Sequence, residues 1–397
     1  MKKLFTLFFI TAISITALAQ KEADVLRKAN ELIAGKKYES AFKSLEVFDP
    51  KNEKPNVALL KTDIVLEYFV TSMSHQMFAL KDLEPNETVA DYRGTGGQFS
   101  MHNFAPNTVL EALIAKNPKN CALYKSLGNF YYEAYTHYAG NWLKPDTELF
   151  TLINTNLTKA IEGKCADYMS HYILGFIALS QEDYTASLPH LLKSIALNSA
   201  YATAHYNAAY AYLYQDDRKN AITHAVNAYN LYPVGQYKGD AARIAGQAYL
   251  ELKDDANALK YYQMADAADP NNYYNLKALL GVYVRTGNKA AEPTRLEFYN
   301  LAPENTIIYS SLEEIYGAGK KETDLIAFYA QQLSKFNGND KALGNIHFYT
   351  AALYLDTDNK KAHEELLLAK SHFVKVLPVD NDVFGIIEQG LEYTAKP

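Results

Sequence analysis

Three successive segments of this 397-residue chain repeat one pattern, and that repetition limits the possible folds more than any single motif does. They run from Tyr168 to Ser199, from Ala202 to Pro233 and from Gly239 to Pro270; the first two are offset by 34 residues and the third follows at 37. Small residues recur at helical spacing in each segment, and Pro closes the second and third. Gly and Ala let the two helices of a hairpin approach closely, an aromatic ring fills the gap beyond, and Pro ends the second helix.

These segments resemble the tetratricopeptide repeat, whose pattern is W-x2-L-G-x2-Y, then A-x3-F, then P. Gly246, Tyr249, Ala258, Tyr262, Ala265 and Pro270 fall at family positions in the third copy. Tyr212, Ala221, Ala225, Ala228 and Pro233 do so in the second, where Ala209 replaces the Gly. Looser copies carry Tyr38, Ala41, Leu45 and Pro50; Leu127, Gly128 and Tyr131; and Leu280 and Gly281, although the partner helix of that last pair departs from the pattern. Asn381 to Thr394 reads as a capping helix for the last repeat. The resemblance implies an all-α, right-handed α-solenoid of about eight helical hairpins over residues 20–380, followed by a capping helix and tail at 381–397. That replaces the two or three compact domains the length alone implies.

Composition fits a thin, repetitive fold. Hydrophobic residues make up 48% and charged residues 21%, which argues against disorder. The 32 Tyr, against 18 Phe and one Trp, suit half-buried positions, because Tyr joins an apolar ring to a polar tip. Residues 1–19 read as a cleaved signal peptide: Lys2 and Lys3, an apolar run from Leu4 to Ile15, then Ala17-Leu18-Ala19. The run is shorter than the roughly 20 residues a membrane span needs. The expectation is export to the bacterial periplasm or beyond, with no membrane span after cleavage. With Lys2 and Lys3 removed, the formal charge of −6 becomes −8, a poor match for nucleic acid or acidic membranes. In an oxidising compartment Cys121 and Cys165 have two open readings, a disulfide or two free thiols, and their spacing is not that of metal ligands.

Two stretches break the pattern. Asn56 to Leu83 reads as one long helix, followed by Pro85 to Pro106 without helical periodicity. That 85–106 insert contains Tyr92, Arg93, Gln98 and His102, a second candidate contact site, but its Gly cluster lacks the Lys-Ser/Thr of a phosphate loop. The other insert, 137–146, holds Trp142.

No nucleophile elbow, zinc-protease motif or dinucleotide fingerprint is present, and the reading is non-enzymatic and without cofactor. His137, His171 and His205 are spaced by 34, yet only His171 and His205 are equivalent in the repeat, where they pack inside the hairpin. No second ligand type accompanies them at i+4, so no metal site is assigned. The acid pairs Asp216-Asp217, Asp254-Asp255, Glu313-Glu314 and Glu364-Glu365 read as helix starts and solvated faces.

First helices line the concave face in this family. Helical periodicity then places Lys125, Asn129, Tyr132, Tyr172, Phe176, Tyr206, Tyr210, Tyr214, Arg243, Gln247 and Glu251 on that face. A partner protein or peptide held there is the leading expectation, since aromatic anchors with a polar rim build such interfaces. A glycan stacked on the Tyr rings is the alternative. A hydrolase of the α/α-barrel type ranks third, because it needs acids converging on a pocket.

Overall fold

The computed structural model describes residues 20–137, 143–355 and 357–395. Residues 1–19 and Trp142, read above as a leader and a packing or anchor residue, lie outside the described residues. The chain forms two compact units, one up to Ala204 and one from His205.

The first unit holds α1 (20–34), α2 (Tyr38–Phe48), α3 (Pro55–Glu67), α4 (Pro106–Lys116), α5 (Cys121–His137), α6 (Asp146–Glu162), α7 (Tyr168–Ser180) and α8 (Tyr184–Leu197). Between α3 and α4 lies a small antiparallel sheet of β1 (Thr71–Met73), β2 (Met77–Ala79) and β3 (Met101–Asn103), in that order. The single long helix expected over Asn56–Leu83 is therefore corrected. Its helix ends at Glu67, and the remainder is a hairpin in which Met73 faces Met77 and Phe78 faces His102. Short apolar runs have no period that separates strand from buried helix. Phe69, Phe78 and Phe104 supply buried rings from the insert to a core shared with Phe42, Leu45 and Ile64 of α2 and α3. The sheet is thus built into the core of the unit.

The second unit continues with α9 (Ala202–Tyr214), α10 (Arg218–Leu231), α11 (Gln236–Glu251), α12 (Asp255–Ala268), α13 (Tyr273–Thr286), α14 (Ala291–Asn300), α15 (Thr306–Ala318), α16 (Glu322–Leu333), α17 (Asp340–Tyr354), α18 (Asn359–Phe373) and α19 (Asp382–Thr394). Asn381 caps α19 by accepting from the Val383 N–H, so the expected terminal helix is present. Its Gly390 packs over Leu366 of α18.

The repeat signature has direct physical content. A Cβ on Gly128, Gly175 or Gly246 would stand 2.6–2.7 Å from Leu157, Leu191 or Tyr262 of the partner helix, closer than real Cβ atoms approach. Gly344 of α17 meets Phe373 of α18 in the same way, at 2.5 Å, which reveals a signature residue in a copy whose sequence shows little else. Gly281, matched to the same family position by sequence, has nothing within 4 Å. The tight turns also repeat: Glu182, Asp216 and Lys253 take left-handed backbone (φ 60–62°), and the next residue, Asp183, Asp217 or Asp254, caps the second helix. The acid pairs at 216–217 and 254–255 are thus helix starts, as their sequence position implies.

Candidate functional site

Within each unit the first helices of neighbouring hairpins pack side by side, α3 with α5 and α5 with α7 in the first, and α11 with α13 and α13 with α15 in the second. A cavity opens on each of these faces.

The cavity of the second unit measures about 370 Å³. Its apolar wall comes from Leu250, Tyr262, Ala278 and Val282, and its polar rim from Arg243, Gln247, Lys277, Arg285 and Glu314. The cations are held in place. Arg243 bonds Asp240 at 3.1 Å and stands 5.7 Å from the ring centre of Tyr274. Lys277 pairs with Glu314 at 2.7 Å and Arg285 with Asp255 at 2.6 Å. Gly281 lies on this wall, and the missing side chain leaves the space open. Continuing the stripe Arg243, Gln247, Glu251 by one 34-residue period lands on Lys277, Gly281 and Arg285. The sequence signal for the missed residues was therefore present in the loosely matching copy.

The cavity of the first unit, about 330 Å³, has the opposite charge. Asp63 and Glu67 of α3 face Asn129, Tyr132 and Glu133 of α5, with Met169 and Ile173 of α7 and Tyr201 completing the wall. Although part of Asp63 reaches solvent, burial among protein atoms and then Glu67 raise its carboxyl to about 6, against the pull of Lys125. Burial also raises Glu133, while His137 and Arg93 act in the other direction. Ser126 Oγ and Asn129 Oδ1, both on residues lining this cavity, are buried without a hydrogen-bond partner among the described residues.

The predicted stripe is thus divided. Asn129 and Tyr132 line one cavity, and Arg243 and Gln247 the other. Lys125 pairs with Asp167, the N-cap of α7, at 3.0 Å. Tyr172 is buried at 4% exposure inside a ring cluster with Tyr132, Phe176 and Tyr201, at centroid distances of 5.0–6.4 Å. It holds helices together and is not an open groove residue. Tyr206 and Tyr210 are half-buried against the core of the second unit, and Tyr214 is exposed beside Tyr210 at 4.6 Å.

The insert residues divide similarly. Arg93 donates to the carbonyls of Phe69 (2.9 Å) and Glu67 (3.0 Å) and covers the Phe69 ring at 4.1 Å. The Tyr92 hydroxyl bonds Glu87, and its ring lies 4.3 Å from Lys81 Nζ. His102 packs on Phe42 at 5.1 Å, near Glu39 and Glu46. Arg93 and His102 bind the insert to α3 and α2, Tyr92 is tied to the neighbouring Glu87 and Lys81, and Gln98 is exposed. Cys121 and Cys165 form a disulfide, with Cα atoms 5.7 Å apart.

One cluster had no counterpart in the sequence reading. His75, at the tip of the β1–β2 hairpin, meets Glu133 and His137 at the end of α5, and one ligand-type atom from each residue lies within 4.8 Å of the others. The ring of His75 is buried between Phe69 (5.6 Å), Phe78 (5.6 Å) and Phe130 (6.3 Å). Burial, then His137 and Arg93, lower His75 to about 4. Reading 56–83 as one helix hid this meeting, because it put His75 on the wrong element.

Fold and faces together define a tetratricopeptide-like protein of repeated helical hairpins. No family model and no curated protein matches the chain. Among solved structures, it is similar to a tetratricopeptide repeat protein from Parabacteroides merdae, at 15% identity over 68% of this chain and 98% of that one, with a TM-score of 0.43. The C-terminal part of a TPR repeat-containing protein from Cytophaga hutchinsonii matches at 14% identity over 72% and 93%, with a TM-score of 0.41. YrrB, described as a TPR protein with an unusual peptide-binding site, matches at 17% identity over 44% and 81%, with a TM-score of 0.37.

Proposed function

We propose that the chain is a non-catalytic interaction scaffold that holds a segment of a partner protein against its first-helix faces. The observation that carries this reading is the cavity of the second unit. An apolar wall of Leu250, Tyr262 and Val282, continuous with the core of α12 and α13, sits beside a rim of three cations and one acid, and Gly281 leaves the space in front of it open. Such a site takes a segment that places an acidic side chain next to an apolar one, the arrangement of an interface core with a charged rim.

The test is site-specific photo-crosslinking in envelope extract, with the crosslinker at Gln247 and, as control, at exposed Lys260. A discrete adduct from position 247, absent from 260 and lost with Arg243→Glu/Lys277→Glu, supports the reading. Identical adducts from both positions would sink it. Glycan stacking is the second reading, favoured by the exposed rings of Tyr237 (63%) and Tyr274 (61%). It predicts thermal stabilisation by oligosaccharide that Tyr274→Ala removes.

Export to the periplasm or outside the cell is the compartment we infer. The leader-like residues 1–19 support it, as does the disulfide between Cys121 and Cys165. Among the described residues, no helix is long and apolar enough to cross a membrane.

A further inference from the structure

We propose that His75, Glu133 and His137 form a binding site for a divalent transition-metal ion, with Zn²⁺ the ion whose ligand chemistry the set fits. Two imidazoles and one carboxylate are the protein ligands of a zinc site that keeps a position for water or a further donor. Glu133 and His137 stand four residues apart on the last turn of α5, so their side chains share one face. His137 Nδ1 already lies 3.1 Å from a Glu133 carboxylate oxygen. Four-coordinate zinc with bonds of about 2.1 Å needs ligand separations of about 3.4 Å. Atoms no more than 4.8 Å apart need to close by at most about 1.4 Å to reach that spacing.

The third ligand arrives by a costlier route. Ser74 and His75 both adopt left-handed backbone, at φ 49° and 47°, where non-glycine residues carry strain of order 1 kcal/mol or more. This turn delivers a completely buried imidazole to the end of α5. Ser72 Oγ sits 3.3 Å from its Nδ1, the hydrogen-bonded arrangement that orients a ligand imidazole. The C-terminal end of α5 adds the negative pole of the helix. Arg93 is the opposing charge nearby, but its guanidinium is turned onto the carbonyls of Glu67 and Phe69 and the face of the Phe69 ring. The insert that interrupts the repeat thus brings a ligand that the repeat lacks. Because Glu133 also lines the acidic cavity, a bound ion would stand at that cavity's wall.

The experiment uses the whole chain, stripped with EDTA and titrated with Co²⁺ as a visible probe and with Zn²⁺ in competition. The expected result is one Co²⁺ per chain with the visible absorption of a four- or five-coordinate site, displaced by one equivalent of Zn²⁺. His137→Ala and Glu133→Gln, both at partly exposed positions and checked for unchanged circular dichroism, should weaken binding by about 100-fold or more. His171→Gln should leave it unchanged. Absence of binding by the unaltered chain overturns the proposal, as does equal affinity in His137→Ala.

Discussion

His205 of α9 and His224 of α10 face each other across their hairpin with Nδ1 atoms 3.0 Å apart. A contact that short requires one ring to donate and the other to accept, so the pair is stable only while at least one ring is neutral. Burial first, and His205 second, hold His224 down at about 4. The unfolded chain therefore binds more protons than the folded one between about pH 6.5 and 4, and stability falls as pH falls through that window. With solvent screening the loss is of order 1 kcal/mol. Relative to the unaltered chain, His224→Asn, which keeps a polar atom near Nδ1 but does not titrate, should raise the urea midpoint at pH 4.5 against that at pH 7.5. An unchanged difference would refute this assignment.

Glu313 of α15 acts in the opposite sense. Burial raises its carboxyl to about 7, so the folded chain binds more protons than the unfolded one between about pH 4.5 and 7. Stability is lost there as pH rises, by about 1–2 kcal/mol after discounting for partial exposure. The two windows overlap and their slopes oppose, so in the unaltered chain the two contributions partly cancel. Glu313→Gln removes one slope and should make the chain more stable at pH 8 than the unaltered protein, with the two converging near pH 4. A Gln variant that is less stable at pH 8 would mean the carboxylate makes a favourable contact that burial does not describe.

How far the sequence carries depends on whether a residue's role is local. Gly175, Gly246, Ala209 and the capping Asp217 and Asp254 act within one hairpin, so their spacing alone exposes them. Arg243 and Gln247 followed from helical periodicity, and Lys277 and Arg285 were one period away. Tyr172 was placed on the correct helix but in an open groove, because the chain neighbour that covers it, Tyr201, lies in a turn without periodicity. His75 was out of reach for a different reason. Its position depends on a hairpin whose apolar residues, Phe69 and Phe78, read equally well as helix.

Two glycines matched to one family position should respond in opposite ways. Gly246→Ala puts a methyl 2.7 Å from the Tyr262 ring and forces the hairpin apart, at a cost of about 1–3 kcal/mol. Gly281→Ala enters open space in the interior of α13, where Ala is the better helix former by about 0.5–1 kcal/mol. Thermal denaturation of the two variants should therefore bracket the unaltered protein. If Gly281→Ala also weakens the adduct formed from position 247, the open wall is occupied by the partner.

The disulfide links stability to compartment. Cys121 opens α5 and Cys165 follows α6, so the bridge closes a 44-residue separation that contains the whole hairpin and its insert. Gly163 makes the approach feasible, since a Cβ there would stand 2.3 Å from that of Cys121. Closing a loop of this size restricts the unfolded chain by up to about 4 kcal/mol. Reduction, or Cys121→Ser with Cys165→Ser, should lower the melting temperature and expose the α5–α6 hairpin first in hydrogen exchange, with the hairpins of the second unit unaffected. The acidic cavity and the proposed metal site both depend on α5, so Co²⁺ affinity should fall on reduction while crosslinking from position 247 persists. Equal melting temperatures for oxidised and reduced chain would remove the disulfide as support for export, because a bridge that stabilises nothing gives no reason to keep the two thiols paired.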